Sequence, residues 1–175
     1  MWGLTLEAAL DRTDLLAEPV VAAIRDWKSD GLFRVAEIDP ELADTVAFCE
    51  RYAVPLDVSA NCVIVAAKRG GDVRLAACVV LATTRADVNG VVRKHLDARK
   101  ASFAPQEQAV AETAMEYGGI TPFGLPSDWP VLVDKAVTEK PYVVVGSGVR
   151  RSKLVLPGAA LAEIETAEVL PNLAR

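Results

Sequence analysis

The residues of this chain best suited to chemistry lie in one loop, residues 117–130, which reads YGGITPFGLPSDWP. Three glycines and three prolines occupy this loop. Glycine lets a backbone approach a ligand closely and direct successive N–H groups at it, whereas proline fixes the shape of a loop. The same composition is also typical of a stiff surface connection. The functional interpretation is a preorganised backbone cradle, which holds an ester carbonyl or a water without a side-chain base.

Side chains that commonly act as nucleophiles or metal ligands are scarce. His95 is the only histidine, so a Ser-His-Asp or Cys-His mechanism would have to use it, and its basic neighbours on a predicted helix favour a solvated position. The cysteines, Cys49, Cys62 and Cys78, include no C-x-x-C pair, which argues against a disulfide framework or a thiolate zinc site. Strand alternation points Cys62 away from the face of Asn61 and into the core. No metal and no organic cofactor are expected.

Length, composition and charge limit the class of protein. The 175 residues, 51% hydrophobic and 25% charged, predict one globular domain. The densest apolar stretch, residues 75–82, is too short to cross a bilayer, and residues 1–3 do not begin a secretory signal, so a cytoplasmic protein without a membrane partner is expected. The net charge is −5, and the acidic excess lies in residues 1–50. Such a chain is a poor general binder of DNA or RNA, but a local basic face can hold one defined RNA end.

Hydrophobic periodicity and turn residues predict the elements that position the loop. Residues 39–41 (DPE) are a strong helix start, and a stripe through Leu42, Val46, Cys49 and Ala53 is predicted to be buried. Two β-rich runs flank a turn with two glycines and predict a hairpin. The irregular order of elements predicts a mixed sheet in an α+β domain. The predicted helices are 18–29, 39–54, 88–96, 105–116 and 158–164, and the predicted strands are 33–38, 62–67, 73–81, 131–133, 142–145 and 154–156.

The sequence GGITPFG at residues 118–124 resembles the GG-[IV]-[ST]-P-x-G loop of the YbaK/ProX-like aminoacyl-tRNA editing family. This family is related to the editing insertion of bacterial prolyl-tRNA synthetase. Further family patterns follow in the family's order, among them a helix that ends in G-V-P, a strand after A-K-[ST] and a late [SA]-G-x-[RK] turn. The resemblance covers residues 33–164. The matching segments here are 45–55, 60–65, 85–88, 133–134 and 146–150.

The resemblance implies a fold and an activity. The fold is a single α+β domain, residues 33–175, with a mixed, partly barrel-like sheet surrounded by helices, preceded by an N-terminal helical extension, residues 1–32. The activity is hydrolysis of the ester that joins a wrong amino acid to the 3′ end of a tRNA, foremost the tRNA for proline. Prolyl-tRNA synthetase is then a further partner. Synthetases need such a second sieve because one methylene discriminates substrates by only about 1–3 kcal/mol.

The resemblance also assigns site residues. The glycine loop cradles the aminoacyl group, while a positioned water or the substrate's own side chain performs hydrolysis in place of an enzymic nucleophile. The turn at residues 146–148 forms the opposite wall, and Arg150 contacts a phosphate. Arg151 and Lys153 follow closely, which favours RNA contact for them too. The implied catalytic residues are Asn61, Gly118, Gly119 and Pro122, and the implied substrate-binding residues are Thr121, Phe123, Gly124, Gly146, Ser147, Gly148 and Arg150.

One position departs from the family's pattern. Asn61 stands where the family carries a lysine associated with the terminal phosphate or ribose of the tRNA. Asparagine donates hydrogen bonds but brings no charge. The rival hypothesis is therefore a non-catalytic module that kept the pocket but lost hydrolysis, and that binds aminoacyl-tRNA, a free amino acid or nucleotide, or a synthetase. The simplest alternative for Asn61 itself is that it only opens a strand.

Overall fold

The computed structural model describes residues Met1–Arg175 and contains the predicted hairpin as its longest element. Strands β3 (Ala60–Arg69) and β4 (Asp72–Leu81) pair antiparallel along their whole length. Gly70 and Gly71 form the turn, and Gly70 adopts a φ of +62°, which glycine tolerates at little cost. The β-rich runs and the two glycines between them explain why the sequence folds here as a tight hairpin.

The hairpin is the centre of a five-stranded mixed sheet, in the order β5-β3-β4-β6-β9. The additional strands are β5 (Lys100–Phe103), β6 (Val131–Asp134) and β9 (Ala167–Leu170). Strand β5 pairs antiparallel with β3, whereas β6 and β9 extend the other side of the sheet in parallel. The partners of β5 are residues 65–68 of β3 only, so no strand covers residues 60–64 on that side.

A second, fully antiparallel sheet has the order β1-β2-β8-β7. Its strands are β1 (Glu7–Ala8), β2 (Arg34–Glu37), β7 (Val143–Gly146) and β8 (Ser152–Leu156). One isolated parallel bridge, between Ser59 and Val144, connects this sheet to the start of β3. The predicted α+β class and mixed sheet are confirmed, but the strands form two open sheets and no closed barrel.

Five helices accompany the sheets, and the second begins later than the sequence predicts. Asp39 does cap a turn, since its side chain accepts a main-chain N–H at 3.0 Å, but that turn is a separate 3₁₀ segment, Pro40–Leu42. The α-helix begins after a further break. Its buried side chains are Phe48 and Cys49. The predicted stripe is wrong at Val46, which is 61% exposed, and at Ala53, which is also exposed. The helices are α1 (Glu18–Arg25), α2 (Thr45–Tyr52), α3 (Arg93–His95), α4 (Gln106–Thr113) and α5 (Lys135–Thr138).

Two other predicted helices are irregular. The segment predicted as helix 88–96 begins with a π-type turn, Val88–Val92, before α3, and the Asp87 carboxylate accepts the N–H of Gly90 there at 3.0 Å. The predicted closing helix is a 3₁₀ helix, Gly158–Glu163. The short strands β1, β5 and β9 are not among the predicted elements.

The main hydrophobic core contains side chains of both sheets and of the N-terminal segment. Trp27, Phe33 and Phe123 pack edge to face, with ring centroids 5.0 to 5.6 Å apart. Val20 and Ile24 of α1 are fully buried in the same core. The segment before residue 33 therefore shares a core with the rest of the chain, and a domain boundary at residue 32 stays a prediction. No helix has the length and apolar character needed to cross a membrane.

Candidate functional site

A cavity of about 440 Å³ lies where the two sheets diverge. The bridge between Ser59 and Val144 holds the sheets together at one end. Beyond it, the first half of β3 forms one wall, and the end of β7 with the adjacent part of β8 forms the other. The start of α2, part of α4 and the loop around Gly118 close the remaining sides. A volume of this size accepts a small organic group but not a macromolecule.

The β3 wall presents hydrogen-bonding groups to the cavity. The hydroxyl of Thr45, at the start of α2, donates to the Asn61 amide oxygen at 2.9 Å, which fixes the amide and leaves its two N–H donors for a ligand. The main chain adds further groups. The Ile64 carbonyl accepts the N–H of Ala104 at 2.9 Å on the side of β3 that β5 only partly covers. In an antiparallel ladder, the main-chain N–H and C=O groups of residues two positions apart point to the same side. The N–H and C=O of Cys62 therefore face this side without a strand partner.

Lys153 of β8 is the one cation that lines the cavity. Its ammonium forms no salt bridge and lies 5.3 Å from the centroid of the Phe48 ring. Burial lowers the pKa of Lys153 to about 8; the neighbouring Arg150 acts in the same direction, and interactions with Cys49 and Asp44 oppose it. An unpaired, mostly buried amine that faces a cavity is typical of a functional site.

No side chain of the cavity is an activated nucleophile. Cys62 lines the cavity and also packs against the main core, and burial, with a smaller contribution from Cys78, raises the pKa of its thiol. His95 lies outside the cavity, where its ring pairs with the Glu168 carboxylate of β9. No three His, Cys, Asp or Glu side chains are grouped to hold a metal ion. The groups available in the cavity are therefore hydrogen-bond donors and acceptors and the charges of Lys153 and Asp44.

The glycines around the cavity let two chain segments pack backbone against backbone. The N–H of Gly148 donates to the Gly119 carbonyl at 2.7 Å. A Cβ on Gly146 would lie 2.5 Å from the same carbonyl oxygen, and a Cβ on Gly119 would lie 2.8 Å from the main chain of Val149. The N–H of Gly119 donates to the carbonyl of Glu116, just before the loop, at 2.9 Å. Close packing between the loop and the turn therefore requires these glycines.

Two exposed aromatic side chains stand at the mouth of the cavity. Phe103, at the end of β5, is 63% exposed, and Tyr117, in the glycine loop, is 55% exposed. Both side chains contribute to the cavity lining although most of their surface meets solvent. Exposed aromatic rings beside a cavity are typical of sites that stack a planar group of a ligand.

Comparison with known proteins decides the family. A family model described as "Aminoacyl-tRNA editing domain" matches residues 39–164, which is most of the chain. The chain belongs to the aminoacyl-tRNA editing domain family. The family resemblance of the glycine loop and its companion motifs is thereby confirmed. No curated protein matches the sequence.

Solved structures share the fold of this editing domain. The chain superposes with a TM-score of 0.74 and 18% identity on a protein proposed as a trans-editing enzyme for prolyl-tRNA synthetase, over 88% of this chain and 94% of that one. A hypothetical protein of known structure gives a TM-score of 0.72 and 19% identity, over 82% of this chain and 91% of its own. At such identities the likeness establishes the fold alone.

The editing domain brings three of the predicted site residues together. Asn61, Gly118 and Gly146 line the cavity from three distant segments of the chain. The remaining predicted residues do not line the cavity. Phe123, for example, packs in the aromatic cluster of the core, and the Ser147 hydroxyl accepts a hydrogen bond from the Ser152 hydroxyl at 2.6 Å. Their roles at the site stay predictions. These residues are Gly119, Thr121, Pro122, Phe123, Gly124, Ser147, Gly148 and Arg150.

The three basic residues after the turn have different surroundings. The Arg150 guanidinium donates to the carbonyls of Tyr117 at 3.3 Å and Pro40 at 3.2 Å, which ties together two segments that frame the cavity. Its predicted phosphate contact stays a prediction. Arg151 donates to a carbonyl of the N-terminal segment. Only Lys153 lines the cavity, and nothing in the sequence distinguishes it from the two basic residues that precede it.

Proposed function

We propose that this editing domain hydrolyses the ester between a wrong amino acid and the 3′ end of a tRNA, and that the cavity between its sheets is the site. One observation carries the proposal: every residue that lines the cavity lies within residues 39–164, the segment that matches the family. A cavity of about 440 Å³ suits an aminoacyl group and part of the terminal ribose, with the rest of the tRNA outside.

The groups in the cavity suit attack by a positioned water. The Asn61 amide and the main-chain N–H of Cys62 are donors for the ester carbonyl, and the Cys62 carbonyl is an acceptor for the water. The water oxygen bonds to the carbonyl carbon, the C–O bond to the ribose breaks, and the proton lost by the water ends on the ribose hydroxyl. The products are a free amino acid and a deacylated tRNA. Donors held on a strand stabilise the developing charge without reorganisation.

The apolar part of the cavity favours a small aliphatic amino acid. Ile64, Ile120 and Val145 contribute apolar side chains to the lining. A wrong amino acid of this kind is the one that a synthetase discriminates poorly by size, so that a second site is needed. We infer that the preferred substrate is tRNA for proline charged with a small amino acid. The fold shared with a protein proposed as a trans-editing enzyme for prolyl-tRNA synthetase supports this choice.

A non-catalytic binding module is the second candidate function, and the neutral side chain of Asn61 favours it. Such a module would bind the aminoacylated 3′ end, or a smaller ligand of the same chemistry, without cleaving the ester. Binding alone is stoichiometric, whereas an enzyme releases more amino acid than the protein present. The two candidates therefore differ in turnover.

The experiment is a deacylation screen with catalytic amounts of the purified protein. The substrates are tRNAs for proline, alanine and cysteine, each charged with several small amino acids, and the control is each substrate without protein. We expect many turnovers on mischarged tRNA for proline and little release of proline itself. Binding without release from any substrate would support the non-catalytic module, and release of correctly attached amino acids at equal rates would contradict an editing role.

A further inference from the structure

We propose that Lys153 is a catalytic residue of this editing domain: its ammonium stabilises the oxyanion that forms when water attacks the ester carbonyl. This inference rests on the proposed function, because it assigns a role within the same hydrolysis. It adds a charge to a site whose other donors are neutral.

Lys153 is a cation without a structural partner. Asp44 is the only other charged residue that lines the cavity, and its side chain is 78% exposed and lies 3.8 Å from Arg150. The Lys153 ammonium contacts the Phe48 ring and forms no salt bridge. Taking a charge out of water without a partner costs free energy, so packing provides no reason for a lysine here. An oxyanion in the cavity supplies the missing partner.

The sheet registers place Lys153 across the cavity from the donors of β3. In the second sheet Lys153 pairs with Gly146, two residues beyond Val144. On the other wall Asn61 lies two residues beyond Ser59, the bridge partner of Val144. Asn61 and Gly146 therefore lie equally far from the bridge on opposite walls, and Lys153 lies beside Gly146. All three residues line the cavity. An ester carbonyl held by the Asn61 amide lies in the space that the ammonium also faces.

Burial favours an oxyanion over a tRNA phosphate as the partner of this ammonium. A phosphate diester carries a permanent, strongly hydrated charge, and it belongs to the part of the tRNA that stays outside a cavity of about 440 Å³. An oxyanion instead develops inside the cavity, on an atom already bound there. A fixed charge in a water-poor site stabilises it more than the same charge in water would.

The proposed step needs Lys153 in its charged form. As the water oxygen bonds to the carbonyl carbon, the π electrons of the carbonyl move to its oxygen, beside the ammonium. Collapse of this intermediate restores the carbonyl and expels the ribose oxygen, which takes up the proton that the water lost. Lys153 keeps its proton throughout. Its pKa of about 8 leaves the ammonium dominant at neutral pH, and the titratable and charged groups that act on it are Arg150, Cys49 and Asp44.

The test is single-turnover deacylation of a mischarged tRNA at saturating protein, together with the affinity for the same tRNA. Lys153→Met is expected to lower the saturating rate about 100-fold or more while leaving Kd within about threefold, because the oxyanion is absent from the ground state. Lys153→Arg keeps the charge and is expected to retain part of the rate.

The matched control is Lys135→Met, since Lys135 is an exposed lysine paired with Glu139 and lies outside the cavity. The ratio of the wild-type rate to the Lys153→Met rate should fall above about pH 8, where Lys153 loses its proton. A ratio is used because faster attack by hydroxide raises both rates alike.

Each other outcome overturns the inference in a distinguishable way. An unchanged saturating rate in Lys153→Met, with active wild type, removes Lys153 from catalysis and leaves the proposed function intact. A weaker, salt-dependent Kd with an unchanged saturating rate identifies a phosphate anchor instead. If the ratio of the wild-type rate to the Lys153→Met rate instead increases at pH values above 8, the neutral amine acts as a base. Absence of release by the wild type on every substrate overturns the proposed function itself. Should Lys153→Met not fold, Lys153→Gln and the wild-type pH profile test the same role with the same expected results.

Discussion

At the level of single residues, the charge in the cavity sits on the wall opposite Asn61. The Asn61 amide, oriented by the Thr45 hydroxyl, is a neutral donor, and Lys153 brings the positive charge from β8. A lysine at position 61 would combine both properties in one side chain. Although position 61 is an asparagine, the cavity still contains a cation, Lys153. This weakens the hypothesis that the domain lost hydrolysis when the family lysine was replaced.

Substitutions at Asn61 test whether this residue lies beside the RNA. Asn61→Lys is expected to tighten binding of aminoacylated tRNA by about 1 kcal/mol at low salt, because charge-assisted hydrogen bonds are stronger than neutral ones. A lysine side chain reaches farther than asparagine, towards the phosphate outside the cavity, so the gain should shrink at high salt as that contact is screened. Asn61→Ala should weaken binding by about 1 kcal/mol through loss of a neutral hydrogen bond. Affinities of the three proteins at two salt concentrations check this, and identical behaviour at both would place Asn61 away from the RNA.

The buried amine of Lys153 should also be visible in the pH dependence of stability. Its pKa is about 8 in the folded protein, against 10.5 for an unperturbed lysine, so between these values the unfolded chain binds more protons and this group makes folding more favourable as pH rises. Lys153→Met should therefore raise the free energy of unfolding at pH 7 by on the order of 3 kcal/mol, and this difference should shrink between pH 8 and pH 10. Urea unfolding of wild type, Lys153→Met and the control Lys135→Met measures it. A Met variant less stable than wild type at pH 7 would show that Lys153 stabilises the fold.

At the level of secondary structure, the sequence predicts what local patterns determine and misses what distant partners determine. The hairpin follows from its apolar runs and from Gly70, which needs a positive φ. The capping signal at Asp39 is real, but a 3₁₀ turn satisfies it and the helix restarts later, which changes the buried face. Strands β5 and β9 are only four residues long, and pairing with β3 and β6 creates them.

The candidate site shows the same division. The family motifs predict the three segments that meet around the cavity, because the motifs mark loops and turns by residue type. Which side chains face inward depends on the register across the Ser59–Val144 bridge, and that register joins residues distant in sequence. Lys153 is such a side chain. The sequence shows three basic residues close together, and only the packing of the sheets shows that Lys153 lines the cavity whereas Arg151 does not.

The contact between the glycine loop and the turn after β7 can be tested by adding one methyl group. A Cβ on Gly146 would lie 2.5 Å from the Gly119 carbonyl oxygen and 2.6 Å from that of Ile120, so Gly146→Ala must push the loop away from the turn. We expect a loss of about 1–3 kcal/mol in the free energy of unfolding, as for other overpacked sites, and a deacylation rate at least tenfold lower. Gly71→Ala is the matched control, because nothing lies within 4 Å of its added Cβ. Equal stability and rate in both variants would show that the contact is not needed.

For the molecule as a whole, the net charge opposes the proposed binding of a tRNA end. The chain carries a net charge of −5, so long-range electrostatics do not draw a polyanion to it. The acidic excess lies in residues 1–50, and the cavity opens between segments that come almost entirely from the rest of the chain. Affinity for a tRNA end would therefore come from local contacts at the cavity, of which stacking and neutral hydrogen bonds do not depend on net charge.

Phe103 and Tyr117 are the side chains placed to provide such stacking, because both are exposed and both line the cavity. With the aminoacyl group inside, the terminal adenine lies at the mouth, and stacking of a base on an aromatic ring is worth about 1–3 kcal/mol. Phe103→Ala and Tyr117→Ala should each weaken binding of a short RNA that carries a non-hydrolysable aminoacyl end by this amount. Phe103→Trp should bind at least as tightly as wild type. The loss should be the same at low and high salt, since no phosphate is involved. Tyr142→Ala is the matched control, because Tyr142 is also an exposed aromatic residue, 46% exposed, but does not line the cavity. If all three alanine variants bind as the wild type does, or if the losses vanish at high salt, the base does not stack at this mouth.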